Sequence, residues 1–448
     1  MTECITSKMD FTAVGRRKVV ADFAGGRLTS DAGVLLLREM DRRLGLLDAI
    51  DAAIPDPREP SSVVHSQRTM LAQRIFSIAL GYEDLNDQQT MRTDPALQVA
   101  AGVAPQESEA MASAPTLCRL ENRISRQTNI ALSKILVDQF IASHDTPPEE
   151  IVLDFDATDD PVHGTQLGRF FHGYYRCYCF LPLYVFCGDQ PLVAYLRPSK
   201  IDGAKHAWAI LKLLVTYLRK HWPDVKVTLR GDGGFARWRM MRWCDKNQVQ
   251  YVLGLPTNSR LLELANKWTT QATELFEQSC TETECVKQRL FGEFQYAAGT
   301  WDRERRVIVK AEYLPAGPNT RFIVTNLPGE PKRLYDELYA IRGDMENRIK
   351  EQQLMLFADR TSCHEFQANQ FRLLLSTFAY VLMEALRREH LTGTKLANAQ
   401  AGTIRLKLLK LAARVCTSVR RIVFHLSSSF PHQDLFRQLA SRLIIETG

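Results

Sequence analysis

The hydrophobic positions of the chain change their period along its length. Up to residue 145 they recur every three or four residues, the spacing of helices with one apolar face. Met70, Leu71, Ile75, Ile78 and Ala79 share such a face and predict a helix over Met70–Leu80. Thr29-Ser30-Asp31 stands just ahead of Val34-Leu35-Leu36-Leu37 and reads as a capped helix start. Pro115–Arg123 reads as a short helix that shows Arg119 and Arg123 at i and i+4. Such a pair either meets phosphates or belongs to a solvated face. Ser143–Glu150, with Pro147-Pro148 and several acids, reads as a linker.

From residue 151 the pattern shifts to short apolar runs at Ile151–Phe155, Tyr178–Phe186, Leu192–Leu196, Val225–Leu229 and Tyr251–Leu255. A helix over Ala204–Lys220 separates the third run from the fourth, with Trp208, Leu211, Leu214, Val215 and Leu218 on one side. Three strands, a helix, a fourth strand, a helix and a fifth strand predict a mixed α/β sheet in the ribonuclease H-like order. Further strands are expected at Gln288–Tyr296, Arg305–Ala311 and Arg321–Asn326, forming a β-rich insertion before a helix returns around Arg333–Leu356. From Phe366 onward the chain reads as helical. It carries twelve basic and four acidic side chains, with Arg405, Lys407, Lys410, Arg414, Arg420 and Arg421 set among apolar residues. That balance suits a phosphate backbone or a solvated cationic face equally.

Composition adds exclusions more than identities. The formal charge of +6 permits a polyanionic partner without requiring one. Ten cysteines are scattered with no C-x-x-C pair, which argues against a zinc ribbon and for reduced thiols in the cytoplasm. No apolar run approaches the roughly 20 residues of a membrane span. Lys8, Asp10, Arg16, Arg17 and Lys18 stand where a signal peptide would need an apolar core. A protein inside the cell with no membrane partner is expected.

Three acidic stretches then stand out. Ile151-Val152-Leu153-Asp154-Phe155-Asp156-Ala157-Thr158-Asp159-Asp160 runs from a strand into four carboxylates, whose repulsion calls for a cation. Arg230-Gly231-Asp232-Gly233-Gly234-Phe235 places an acid at the end of the fourth strand, between glycines that let a ligand approach. On the later helix, Glu346 and Lys350 share a face, with Arg342 one turn before Glu346. Taken singly these are an acidic turn, a tight Asp-Gly turn and a surface helix with a Glu–Lys pair. Taken in order they make a three-carboxylate site for two magnesium ions.

In these stretches the chain resembles the DDE transposases of bacterial insertion sequences, specifically the hairpin-type insertion-sequence family thirteen-eighty. The likeness runs from Phe23–Gly33 and Gly81–Asp87 through Leu153–Gly164, Leu229–Phe235 and Ile341–Glu351 into the C-terminal region. It implies Asp156, Asp232 and Glu346 as catalytic metal ligands for Mg²⁺, or Mn²⁺ in its place, with Asp154 in reserve. It also implies that Tyr339, Arg342 and Lys350 contact DNA and that Trp301 stacks on a flipped base, and Arg119 and Arg123 join them as candidate phosphate contacts. The family motif ends in Lys, where this chain has Gln353. The division implied is a helical DNA-end-binding region (1–145), a ribonuclease H-like catalytic domain (146–260 and 331–365), the β-rich insertion (261–330) and a basic helical C-terminal region (366–448). The function implied is binding of terminal inverted repeats in double-stranded DNA as a homodimer, with hydrolysis and strand transfer near the nucleoid. A nuclease that only cuts, and an inactive DNA-binding relic, are the rival readings.

Overall fold

The computed structural model describes residues 8–105, 110–280 and 285–447. The chain forms two compact units, one of residues 1–128, 354–360 and 375–448, the other of residues 129–353 and 361–374. Among the described residues no helix is long and apolar enough to cross a membrane.

The second unit is a mixed α/β structure built on one long sheet. Its main strands are β1 (Glu150–Ala157), β2 (Leu183–Cys187), β3 (Gln190–Tyr195), β4 (Lys226–Gly231), β5 (Val249–Leu255), β6 (Gln288–Tyr296), β7 (Arg305–Leu314) and β8 (Arg321–Thr325). They lie in the order β6-β7-β8-β5-β4-β1-β2-β3. β1, β4 and β5 are parallel neighbours. The remaining pairs on this path are antiparallel. Parallel neighbours need long crossovers. Helix α1 (Ala207–His221) precedes β4, and α2 (Trp238–Lys246) joins β4 to β5.

Alternation along β1 decides which face carries chemistry. Ile151, Leu153 and Phe155 are buried in a core with Leu211, Leu214 and Leu218 of α1. Asp154 and Asp156, at the intervening positions, therefore point to the opposite face. The strand's own sequence makes one side oily and the other acidic.

Several expectations need correcting. The apolar run Tyr178–Phe186 is two strands, because Leu181-Pro182 breaks it. Cys177–Phe180 pairs with Phe170–His172 and Asp160–Pro161 in a small separate sheet. Trp208 lies 45% exposed and off the buried face of α1, which Ala207 joins instead. The first part of segment 261–330 is α3 (Ser259–Ser279), and the strands that follow extend the central sheet through β8 and β5. Cys280 and Cys285 are joined as a disulfide, so the reading of uniformly reduced thiols does not hold there.

In the first unit, the helix Gln67–Leu80 is buried on every side from Met70 to Leu80. Arg74 within it meets Glu121 at 2.9 Å. Gly33 holds the N-cap position of the helix Val34–Leu44, and Asp31 meets the helix start only through its carbonyl, which accepts from Val34 N at 3.0 Å. Buried Asp31 instead accepts from Lys410 Nζ at 2.6 Å and Tyr82 Oη at 2.9 Å. The region is not purely helical either, since Met9–Val14 and Arg17–Ala21 form a hairpin. The basic C-terminal stretch likewise contains a hairpin of Ala413–Thr417 and Ile422–Leu426. Its cations divide. Arg405 is spent on the carbonyls of Ala79, at 2.7 Å, and Met355, while Lys407, Arg414, Arg420 and Arg421 stay exposed.

Candidate active site

Phe155 of β1 and Gly231 of β4 are register partners on adjacent parallel strands. Asp156 and Asp232 are the next residues of each strand, so register alone brings them side by side at the C-terminal edge. Ligands of open α/β sheets gather at that edge. Asp232 opens a tight turn, its Oδ1 accepting from Gly234 N at 2.9 Å. Asp156 Oδ1 accepts from Ala157 N at 2.8 Å.

The third acid arrives on a helical stretch of uneven pitch. A wide π turn, Leu334–Tyr339, passes into a tight 3₁₀ turn, Ala340–Arg342, and then into helix α4 (Gly343–Lys350). π turns concentrate at functional sites because they rotate side chains out of the regular helical phase. Here Arg342 bridges two acids, its Nη2 lying 2.9 Å from Glu346 Oε1 and its Nη1 3.7 Å from Asp156 Oδ2. Burial pushes the Asp156 carboxyl up to about 7, with Asp232 and Glu346 adding to the rise and Arg342 opposing it. The three acids thus share one electrostatic site. Among the described residues, no three His, Cys, Asp or Glu side chains are gathered closely enough to enclose a metal ion.

Asp154 has a different fate from Asp156. Arg230 grips both of its carboxylate oxygens, Nη2 meeting Oδ2 at 2.7 Å, and donates through Nη1 to the Leu338 carbonyl at 2.7 Å. Both charged side chains are almost fully enclosed. Burial raises the Asp154 pKa, and Arg230 opposes the rise. This buried pair ties β1, β4 and the helical stretch together, and it leaves Asp154 without a free oxygen edge for a ligand.

Gly254 completes the scaffold by having no side chain. A Cβ there would lie 2.6 Å from the Tyr339 hydroxyl and 2.9 Å from Gly233 N. Gly254→Ala is therefore expected to push the Asp232 turn and Tyr339 outward. Displacements of about 1 Å cost on the order of 10²-fold in rate. Loss of catalytic rate on that scale with an unchanged far-ultraviolet spectrum is the expected result.

The other candidate residues scatter. Tyr339 is held next to Arg342, with burial raising its pKa. Lys350 is exposed at the end of α4. Gln353, at the motif's lysine position, donates to the Asp159 carbonyl at 3.0 Å and faces protein rather than solvent. Trp301 packs edge-on against Tyr296, with ring centroids 5.5 Å apart. Its loop lies beside Arg305, which pairs with Asp245 ahead of β5, so Trp301 stands at the opposite end of the sheet from Asp156 and Asp232. In the other unit Arg119 is exposed, whereas Arg123 is bound to Asp56 at 3.2 Å and to Gln67.

Sequence reading missed Arg230, Gly254 and the aromatic residues beside Asp232. A cleft of about 140 Å³ adjoins Asp232, lined by Ala157, Gly234, His172, Tyr174 and Tyr175 among others. An arginine inside the apolar run of β4, level with an acid on β1, is the one signal that pointed to the Asp154–Arg230 pair.

The model of the family described as Transposase DDE domain group 1 matches residues 11–445. The chain belongs to that family. DDE transposases generally use divalent metal ions, and this chain's acids sit within the matched region. Among solved structures, a piggyBac transposase synaptic complex with hairpin DNA, determined by cryo-electron microscopy, is similar at 9% identity. That likeness covers 86% of this chain and 80% of the other, with a TM-score of 0.40. No curated protein matches the chain.

Proposed function

We propose that this protein is the transposase of an insertion sequence, of the hairpin-type family thirteen-eighty, with a ribonuclease H-like catalytic core. The strand order β3-β2-β1-β4-β5, antiparallel on one side of β1 and parallel on the other, supports that fold. The observation that carries the activity is the convergence of Asp156, Asp232 and Glu346 around Arg342. The family generally uses divalent ions, and Asp156, Asp232 and Glu346 are the hard oxygen donors that would hold Mg²⁺ or Mn²⁺. When bound, a pair of such ions activates the attacking oxygen and stabilises the leaving oxygen of an in-line displacement at phosphorus.

The chain's own groups do the positioning. Arg342 balances Asp156 and Glu346 while the site is at rest and turns its planar fork to the scissile phosphate when DNA enters. Tyr339 backs that guanidinium, and Lys350 meets the backbone one helical turn from Glu346. The exposed Lys407, Arg414, Arg420 and Arg421 supply further phosphate contacts in the other unit. Two such chains hold two inverted-repeat ends together for cleavage and joining. Lys350→Ala is expected to weaken binding evenly across end sequences and to lower the slope of log affinity against log salt by about 1. A gel-shift series at several salt concentrations reads both. Incubating labelled ends with Mg²⁺ tests the whole reading, since joined products separate a transposase from a nuclease and no products at all indicate an inactive relic.

A further inference from the structure

The hairpin Phe170–Phe180 beside the carboxylates carries aromatic rings where a folded chain has no use for them. Phe171 is 58% exposed, Tyr174 84% and Tyr178 50%. Exposed aromatic clusters of this kind mark interaction sites. The rings pack against one another edge-on, Phe171 with Tyr178 at 5.6 Å and Tyr174 with Tyr175 at 5.0 Å. Cations sit over them, with the Arg169 guanidinium 4.6 Å from the Tyr178 ring and Lys200 Nζ 5.5 Å from the Phe170 ring. Exposed Arg176 stands at the turn in the left-handed conformation, its N–H closing the hairpin onto the His172 carbonyl at 2.8 Å.

The inner side of the same hairpin opens onto the site. His172, Tyr174 and Tyr175 share the cleft with Asp232. Flat rings with cations beside them, next to a cleft that holds an active-site acid, are the features that recognise an unpaired nucleobase on its phosphate backbone. A protein partner would use the rings but has no need of the flanking guanidinium groups and ammonium.

Resting on the transposase reading, we infer that this hairpin is a stacking platform for unpaired DNA bases next to the cut. Tyr174 and Tyr178 supply the faces, and Arg169 and Lys200 the phosphate contacts.

The test uses the full chain without metal, so that cleavage plays no part. Fluorescent ten-nucleotide oligothymidine and a blunt duplex end are titrated against wild type, Tyr174→Ala, Tyr178→Ala and Tyr174→Phe. Loss of one stacked base costs about five- to hundredfold in affinity. Single-strand affinity should fall by that factor in each alanine variant and hold within twofold in Tyr174→Phe, with tyrosine emission quenched by the oligonucleotide only where the ring remains. Alanine variants that bind oligothymidine like the wild type overturn the inference, as does a wild type that does not bind it. So does concentration-dependent self-association that disappears in Tyr174→Ala while single-strand affinity is unchanged, since a second copy would then cover the rings. A wild type that binds the duplex end, and cuts it once Mg²⁺ is added, yet fails these assays refutes the platform alone; one that neither binds the duplex end nor cuts it with Mg²⁺ refutes the transposase reading.

Discussion

Asp156→Asn abolishes DNA cleavage and at the same time stabilises the metal-free fold above neutral pH. The first effect follows from removing a charged oxygen donor from the site, where such interactions contribute several kcal/mol to the transition state, or on the order of 10³-fold in rate. The second follows from the pKa. In the folded protein the carboxyl is raised from 3.8 to about 7 by burial and by Asp232 and Glu346. The folded state therefore binds this proton more tightly than the unfolded state. That contribution is fully present below pH 3.8 and is lost as pH rises through 7, so wild-type stability falls across this window and levels off above it. At 1.36 kcal/mol per pKa unit the loss is of order 4 kcal/mol as an upper bound, because Asp156 keeps 14% side-chain exposure. The asparagine variant carries no such loss. Melting curves in chelator between pH 5 and 8.5 should show the two proteins diverging as pH rises. Curves that stay parallel would mean that Asp156 does not carry the strained charge.

Arg230→Met is expected to be the most destabilising single change in the catalytic unit. It strands the Asp154 carboxylate, whose side chain is only 3% exposed, and frees the Leu338 carbonyl. Breaking one half of a buried ion pair costs about 3–5 kcal/mol, whereas replacing both halves with apolar residues is often neutral. Asp154→Leu combined with Arg230→Met should therefore regain most of the stability lost in Arg230→Met alone. Cleavage should not return with it, since the tie from β4 to the Tyr339–Glu346 stretch is still missing. Denaturant titration of the two single variants and the double variant measures the coupling directly. Additive losses would contradict the role given to this pair.

How far the site is legible from sequence depends on the kind of signal. Asp156 and Asp232 are readable because strand periodicity is strict: apolar residues at alternate positions of β1 send its acids to the other face, and both aspartates fall where their strands end. Glu346 is readable only through its spacing from Tyr339 and Arg342, since the changes of pitch between Leu334 and Arg342 defeat a simple helical wheel. The central strand order follows from the succession of strands and helices, whereas the extension of the same sheet by β6, β7 and β8 does not, because edge pairing depends on contacts distant in sequence. Charge is the least legible property. Lys410 and Arg405 read as surface cations but are held by Asp31 and by backbone carbonyls. Arg123 is likewise bound to Asp56. Apolar runs mislead in the same way, as Tyr178–Phe186 passes from a small outer sheet into the central one at Pro182.

In the proposed function, Asp156, Asp232 and Glu346 act as one site that both cuts and joins DNA. The most direct test incubates labelled inverted-repeat ends and a supercoiled target plasmid with Mg²⁺ and either wild type or one of Asp156→Asn, Asp232→Asn and Glu346→Gln. Cut and joined products are expected from the wild type, and neither from any variant, although each variant still shifts the labelled end in a gel. Cleavage without joining by the wild type, or cleavage that survives any one of the three substitutions, would contradict it.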